Sequence, residues 1–297
     1  MTTLQNKIDF AVILSVKNAN PNGDPLNGNR PRTDYSNIGE MTDVCIKRKT
    51  RDRLLERFIN LQKDGQPTNG QAIFVQSDDR KVDGHKNLRV RAEAALGNNF
   101  GADKIVSLAC KTWIDVRAFG QLFALKSNKK AGKKKKDGSD VEGDTGVSIG
   151  IRGPVTIQAA FSVAPIDITS EQITKSTSLE GDGTNRQSDQ MGIKHRVDQG
   201  VYVFFGSMNP QLAERTDFTD TDAEVIKQIL PRLFENDESS ARPAGSMEVL
   251  KVIWWKHNCK SGQHSSAKVH RTLAVNPDGS YSLSNLQDLT PEEIDGF

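Results

Sequence analysis

Four residues near the end of the chain have side chains that commonly bind metal or carry out proton transfer. They are His257, Cys259, His264 and His270. Their intervals match none of the ligand spacings of structural zinc sites. We therefore interpret them as hydrogen-bonded surface residues and predict no metal site there.

A single histidine elsewhere could act as a general acid. His195 stands between Lys194 and Arg196, a setting that would suit a nuclease acting on RNA. One residue does not make a mechanism, because proton transfer needs a positioned partner. An RNA-processing endonuclease that uses His195 or His270 therefore remains the alternative to a protein without catalytic residues.

The other motifs with known chemistry are incomplete. The loop from Asn18 to Asp24 resembles a calcium loop, but a carboxylate is needed first and a bidentate Glu twelfth, where this chain has Asn18 and Asn29. Gly181-x-Gly183 lacks the third glycine of a dinucleotide site, and neither a phosphate-loop motif nor a GxSxG elbow occurs. The sequence predicts no cofactor.

Phosphate binding fits the residue types better. The loop Asn18-Ala19-Asn20-Pro21-Asn22-Gly23-Asp24-Pro25 offers amide side chains and backbone donors. Its prolines forbid continued strand pairing, and Asn22-Gly23 is typical of a positive φ. We expect this loop to follow a strand and to precede a helix.

That helix carries cations where core residues are expected. Thr42 or Asp43 is a good N-cap, and an apolar stripe would pass through positions 44, 48, 51, 55 and 58. Arg48 and Arg51 fall on the stripe beside Lys47, whereas Lys49, Arg53 and Arg57 would lie on the opposite face. We predict that the first three hold phosphates. The alternative is that the helix end overhangs the core and its cations extend into water.

The charge of the chain is nearly balanced, with a net charge of +2, but it is unevenly distributed. Basic residues cluster at 47–57, 126–136 and 186–196, and acids at 214–238 and 288–295. Three cysteines without a CxxC pair indicate a reducing compartment. No signal peptide or membrane-length apolar run is evident, so we expect a cytoplasmic protein.

Residues 126–144 have no hydrophobic pattern, which predicts a mobile loop. It is either a solvated linker or an electrostatic arm for nucleic acid. The arm would bind target DNA through its lysines: Lys129, Lys130, Lys133, Lys134, Lys135 and Lys136.

Apolar periodicity places the remaining elements. It predicts strands at 8–16, 147–168, 201–205 and 247–255, and helices at 42–58, 88–96, 104–125 and 222–234. It also predicts a long polar hairpin at 168–197 and a capped turn at 290–293. In the second of these strand regions, Val155, Ile157, Ala159 and Phe161 would share one face. The fold class is α+β, an open ferredoxin-like sheet with helices on one face and with insertions.

Four motifs in this order resemble a known family. They are Asn18-x-Asn20-Pro21-Asn22-Gly23-Asp24-Pro25, the segment from Thr42 to Lys49, Asp115-Val116-Arg117-Ala118-Phe119-Gly120, and Met191-Gly192-x-Lys194. Together they resemble the repeated backbone subunit of the type I-C CRISPR surveillance complex (Cascade), a Csd-type member of the RAMP superfamily.

The resemblance implies one elaborated, hand-shaped domain. The palm would be a modified RNA-recognition-motif-like sheet (about 1–62, 147–166 and 198–256), the fingers a helical insertion (63–146), and the thumb a protruding β-hairpin (167–197), followed by a tail (286–297). Copies would stack in a helical filament along a guide CRISPR RNA, with other Cascade subunits, and present the guide to target DNA in antiviral defence. The subunit would not be an enzyme.

The resemblance and the charge pattern together predict an RNA-binding set. Its members are Asn18, Asn20, Asn22, Arg30, Arg32, Lys47, Arg48, Arg51, Arg117, Phe119, Gly120, Met191, Lys194, His195 and Arg196. The thumb contains no aromatic residue, so we expect binding to the RNA backbone rather than base stacking.

Overall fold

The protein is a mixed α/β structure with a large antiparallel sheet. The computed structural model describes residues 2–97, 102–125, 147–174 and 191–297. The strands are β1 (Ile8–Ala19), β2 (Gly23–Asp24), β3 (Arg30–Pro31), β4 (Ile38–Met41), β5 (Gly120–Leu125), β6 (Val147–Arg152), β7 (Val155–Ile157), β8 (Ala160–Pro165), β9 (Ile168–Thr174), β10 (Met191–Met208), β11 (Met247–Lys256), β12 (Leu273–Val275), β13 (Tyr281–Leu283) and β14 (Glu292–Asp295). The helices are α1 (Asp43–Lys63), α2 (Leu88–Leu96), α3 (Ala102–Thr112), α4 (Ile114–Phe119), α5 (Pro210–Thr216), α6 (Asp220–Ile229) and α7 (Ser266–His270).

Eight strands form the main sheet, whose continuous order is β14-β11-β1-β10-β8-β4. The long strand β10 pairs in addition with β7 and β9. β1 lies between β10 and β11, as its apolar sequence predicts, and α1 and α6 lie in the connections from β1 to β8 and from β10 to β11. The predicted central strand at 247–255 is confirmed.

Both faces of this sheet are covered. Phe10, Val12 and Leu14 of β1 point into the larger core, which includes residues of α1 and α6. Ala11 and Ile13 point the other way and pack in a second cluster with residues of α7, β12 and β13. The sheet is open, with β14 and β4 at the ends of its strand order. The expectation of helices on one face only is wrong, because the segment after β11, which contains α7, folds back over the second face.

Helix α1 begins where its N-cap predicts. The Thr42 side chain accepts a hydrogen bond from the Cys45 amide. The predicted apolar stripe is wrong, because Val44 is 69% exposed while Lys49 and Arg53 are buried. The segment after α6 packs on this face of α1 and supplies Asp237 as an ion-pair partner for Lys49. The helix thus buries cations that the sequence pattern assigns to its outer face.

The predicted finger region has an apolar core of its own. Phe74, Trp113 and Phe123 pack against one another with ring centroids 4.7–6.2 Å apart. The helix predicted across 104–125 is divided: α3 ends at Thr112, Trp113 bridges to Ala72, α4 follows, and the chain then continues as β5. The tertiary contacts of Trp113 interrupt the helix there, which a sequence period cannot show.

Three local predictions are corrected. The strand at 155–161 has a break, so Phe161 is 49% exposed while Ser162 is buried, and the two halves do not share one face. The capped turn at 290–293 is absent because β14 pairs there with β11. In the first loop, Asn18, Gly28 and Asn29 have positive φ values, and Asn22-Gly23 does not.

Candidate nucleic-acid interface

The first loop is built by its own asparagines. Asn18 is exposed with φ at 53°, so a short amide residue suits the left-handed backbone there. The Asn22 Oδ1 atom accepts hydrogen bonds from the Thr42 amide at 2.9 Å and from the Thr42 hydroxyl at 3.0 Å. The Asn20 amide donates to the Asn29 carbonyl at 2.6 Å. Asn20 and Asn22 therefore shape the loop, and Asn18 is the asparagine that faces solvent.

The two arginines of this loop have different partners. Arg32 forms an ion pair with Asp24 at 3.1 Å. The Arg30 Nη1 atom donates to the Ser170 hydroxyl at 3.1 Å, although the two residues are far apart in the chain. This contact ties the small hairpin β2–β3 to the base of the predicted thumb.

The described strands of the predicted thumb pair as expected. In the β9–β10 register, His195 is opposite Ser170, and its Nδ1 atom lies 2.8 Å from the Ser170 hydroxyl oxygen. Arg196 forms an ion pair with Glu171 at 2.8 Å. Met191 and Lys194 are exposed. Arg30, Lys194, His195 and Arg196 are therefore brought to one region.

The three cations of α1 are not equivalent. Lys47 pairs with Asp43 at 2.9 Å, one turn earlier. Arg48 is 54% exposed and lies 3.3 Å from Asp79, so it is the most accessible of the three. Arg51 is only 14% exposed.

The carboxylate of Asp115 explains why Arg51 is held inside. Asp115 is fully buried, accepts from the Arg51 Nε atom at 3.1 Å and also accepts from the amides of Phe74 and Val75. The Arg51 guanidinium lies 5.2 Å from the centre of the Phe119 ring. Arg51 and Phe119 thus join α1 to the finger region.

Arg117 is also engaged within the protein. Its guanidinium pairs with Asp222 at 2.7 Å and donates to the carbonyls of Cys110 and Gly70. Gly120 has φ at +79°, and a Cβ there would lie 2.2 Å from the Ile151 carbonyl oxygen. These residues of the Asp115–Gly120 motif hold finger and sheet together, so we omit them from the proposed interface.

Sequence reasoning missed a buried polar cluster beneath the second face of the sheet. Asp9 is fully buried, and its carboxylate lies 2.9 Å from His257 Nε2 and 3.2 Å from the Lys7 ammonium. His270 lies 3.6 Å from the same carboxylate. The prediction that His257 is a surface residue is wrong. The available signal was Asp9 itself, a carboxylate within an apolar strand.

Opposing effects set the ionisation of Asp9. Burial by itself raises the pKa of the Asp9 carboxyl. The hydrogen bond with His257, the neighbouring His270 and Ser266 side chains and the charge of Lys7 outweigh that effect and hold the pKa of Asp9 well below its usual range. The carboxylate is therefore charged under physiological conditions and anchors the segment after β11 to β1.

The remaining predictions concern metal, membrane and DNA. Among residues 2–97, 102–125, 147–174 and 191–297, no group of three or more His, Cys, Asp or Glu side chains is arranged to hold a metal ion. None of the helices in these ranges has the length and apolar character needed to cross a membrane. The lysines predicted to bind DNA (Lys129, Lys130, Lys133, Lys134, Lys135 and Lys136) lie outside the described residues.

Comparison with known proteins identifies relatives along nearly the whole chain. A CRISPR-associated protein Cas7 from Haloferax volcanii is 25% identical over 97% of this chain and 81% of its own length. Two solved structures are described as CRISPR RNA-guided surveillance complexes. One, in the pre-nicking state, has a TM-score of 0.46 at 14% identity and covers 84% of this chain and 78% of the other; the second has a TM-score of 0.44 at 16% identity and covers 92% and 77%.

The family model described as CRISPR-associated protein Cas7 matches residues 6–293, which extend from β1 to β14. Because this match includes all four motifs identified in the sequence, the chain belongs to the Cas7 family of CRISPR-associated proteins.

Proposed function

We propose that the protein is a non-catalytic backbone subunit of a type I-C CRISPR surveillance complex. It binds the guide RNA through the RNA backbone, forms a helical filament with copies of itself and with other Cascade subunits, and presents the guide to target DNA. The single observation that carries this proposal is the family match over residues 6–293. The ordered motifs favour the type I-C subtype.

The palm of this subunit is ferredoxin-like in our proposal. The strand order β11-β1-β10-β8, with α1 and α6 as the helical connections, supports a βαββαβ arrangement. A separate apolar cluster in the region 72–151 supports a finger insertion. The pairing of β9 with the start of β10 supports a thumb hairpin.

The guide RNA would cross the edge of the palm rather than its sheet face, because both faces are covered. Contacts would come from side chains that reach solvent, which are Asn18, Arg30, Lys47, Arg48, Lys194, His195 and Arg196. Lys47 and Arg196 have only exposed or half-exposed acidic partners, and such ion pairs contribute little to stability. Exchanging those partners for phosphates therefore costs little.

Co-expression with a guide CRISPR RNA tests the proposal. The purified protein should be an oligomer that carries RNA, with an absorbance ratio at 260 and 280 nm well above that of protein alone. Native mass spectrometry should give masses that fit whole numbers of chains plus one guide. An RNA-free monomer recovered in the presence of guide would contradict the proposal.

The same preparation tests the endonuclease alternative. His195→Ala and His270→Ala variants should leave the length of the co-purified guide RNA unchanged, because the proposed subunit does not cut RNA. Loss of guide maturation in either variant, with unaltered folding, would favour the endonuclease.

A further inference from the structure

A polar relay at the base of the thumb hairpin joins two of the proposed RNA-binding side chains. Arg30 Nη1 lies 3.1 Å from the Ser170 hydroxyl oxygen, and this oxygen lies 2.8 Å from His195 Nδ1. The three groups come from β3, β9 and β10. They meet because Ser170 and His195 are directly opposite each other in the antiparallel register, so their side chains share a face.

The first member of the relay has a fixed hydrogen-bond role: a guanidinium can only donate, so the Ser170 oxygen accepts from Arg30. The Ser170 hydroxyl keeps one hydrogen, and donation of that hydrogen to His195 Nδ1 at 2.8 Å completes the relay. Hydrogen bonds that form a continuous chain polarise one another, and each bond becomes stronger. A histidine that accepts at Nδ1 carries its hydrogen at Nε2.

Those charged residues of the hairpin that the structure describes lie on the face opposite to Ser170 and His195, so they do not compete for the hydrogen bonds of the relay. Glu171 and Lys194 are opposite each other in the register, and Arg196 pairs with Glu171, so all three lie on the other face of the hairpin. Within the described part of the hairpin, the residues that share the face of His195 are uncharged: Ile168, Ser170, Gln172, Thr174, Met191, Ile193 and Val197.

We infer that Ser170 is a positioning residue, which fixes His195 as an Nε2–H donor to a phosphate oxygen of the bound RNA. The inference rests on the proposed function. A phosphate is the expected acceptor because the Arg30 guanidinium supplies positive charge at the Ser170 end of the relay. With its hydrogen at Nε2, His195 has no free nitrogen to act as the general base of a nuclease.

Nitrogen NMR of the imidazoles tests the relay in RNA-free protein. The unaltered protein should show His195 as the Nε2–H tautomer. Ser170→Ala should give mixed tautomers, and Ser170→Thr, which keeps a hydroxyl, should restore the original state. Thr174→Ala, on the same face of the same strand, is the matched control and should change nothing. An Nδ1–H tautomer in the unaltered protein would overturn the inference, as would an unchanged tautomer in Ser170→Ala.

Affinity for a synthetic single-stranded RNA tests the binding role. His195→Ala should weaken binding about three- to tenfold, the range expected for one hydrogen bond. Ser170→Ala should weaken it less, and should add nothing once His195 is Ala. The losses should be equal on a DNA strand of the same sequence, because both carry phosphates. Additive losses, unchanged affinity in His195→Ala, or a loss confined to RNA would overturn the inference. Failure of the proposed function would instead appear as no RNA binding by the unaltered protein.

Discussion

Arg48 and Arg51 lie one turn apart on α1, yet the structure gives them opposite environments. Arg48 is half exposed and pairs with exposed Asp79 and with buried Asp52. Arg51 is the partner of the buried carboxylate of Asp115, which also holds two backbone amides of the finger region. Two arginines one turn apart on the same helix therefore differ in role: Arg51 supports the interior, and Arg48 remains accessible from solvent.

Replacing each arginine with Leu should separate these roles. Arg51→Leu should lower the free energy of unfolding by about 2–4 kcal/mol, because it leaves Asp115 buried without its counter-charge. Arg48→Leu, the matched control on the same helix, should cost less, about 0–1 kcal/mol, because Arg80 remains 3.9 Å from its buried partner Asp52, and it should weaken RNA binding. Urea unfolding measures the first effect. Equal losses in the two variants would contradict this assignment.

Asp9 gives the protein an acid-sensitive contribution to stability. Because the pKa of Asp9 is lowered in the folded state, its stabilisation is fully present above the unfolded pKa of 3.8 and decreases as pH falls below that value. Asp9→Asn cannot titrate. The difference in urea midpoint between the natural protein and this variant should therefore be constant from pH 7 to about pH 5 and should shrink towards pH 3. A difference that stays constant over the whole range would show that the carboxylate charge is not involved.

At the scale of elements, Gly120 connects α4 to β5 under a tight backbone constraint. It ends α4 with a positive φ and lies so close to β6 that a Cβ would meet the carbonyl oxygen of Ile151. Gly150, in β6 of the same hairpin, has no such constraint, because a Cβ there would meet Leu122 at an ordinary 3.9 Å.

Alanine at these two positions should give opposite results. Gly120→Ala should cost about 2–4 kcal/mol of unfolding free energy, since it adds left-handed strain to a backbone collision. Gly150→Ala should be neutral or slightly stabilising, because alanine restricts the unfolded chain and meets only a flexible side chain. Thermal denaturation compares them. A stable Gly120→Ala protein would mean that β5 and β6 can separate at this point.

Local sequence signals predicted the elements well and their burial poorly. Thr42 located the start of α1, because an N-cap depends on its neighbours in the chain. The buried face of α1 was missed because Lys49 is neutralised by Asp237, which is distant in sequence. The internal roles of Arg51 and Arg117 were missed for the same reason. From sequence alone, an arginine with a buried carboxylate partner cannot be distinguished from one that binds a ligand, because the partner is distant in the chain.

At the scale of the whole molecule, the lysine-rich segment 126–136 is joined to the finger region through β5 and β6. Deleting it should leave guide-RNA binding unchanged. Capture of duplex target DNA should weaken, and the dependence of that affinity on salt concentration should become less steep, because fewer counterions are released. Filter binding at several salt concentrations measures both effects. A linker role would leave both quantities unaltered.

The pairing of β1 also has a consequence for how the protein is made. Ile8 pairs with Met208 on one side and with Lys256 on the other, so both neighbours of β1 are synthesised long after it. During translation this apolar strand remains unpaired until most of the chain has left the ribosome. Pairing between segments so far apart in the chain is also slow to form. The strand that becomes the centre of the sheet is therefore the one most exposed to chaperones and to aggregation while the polypeptide is still growing.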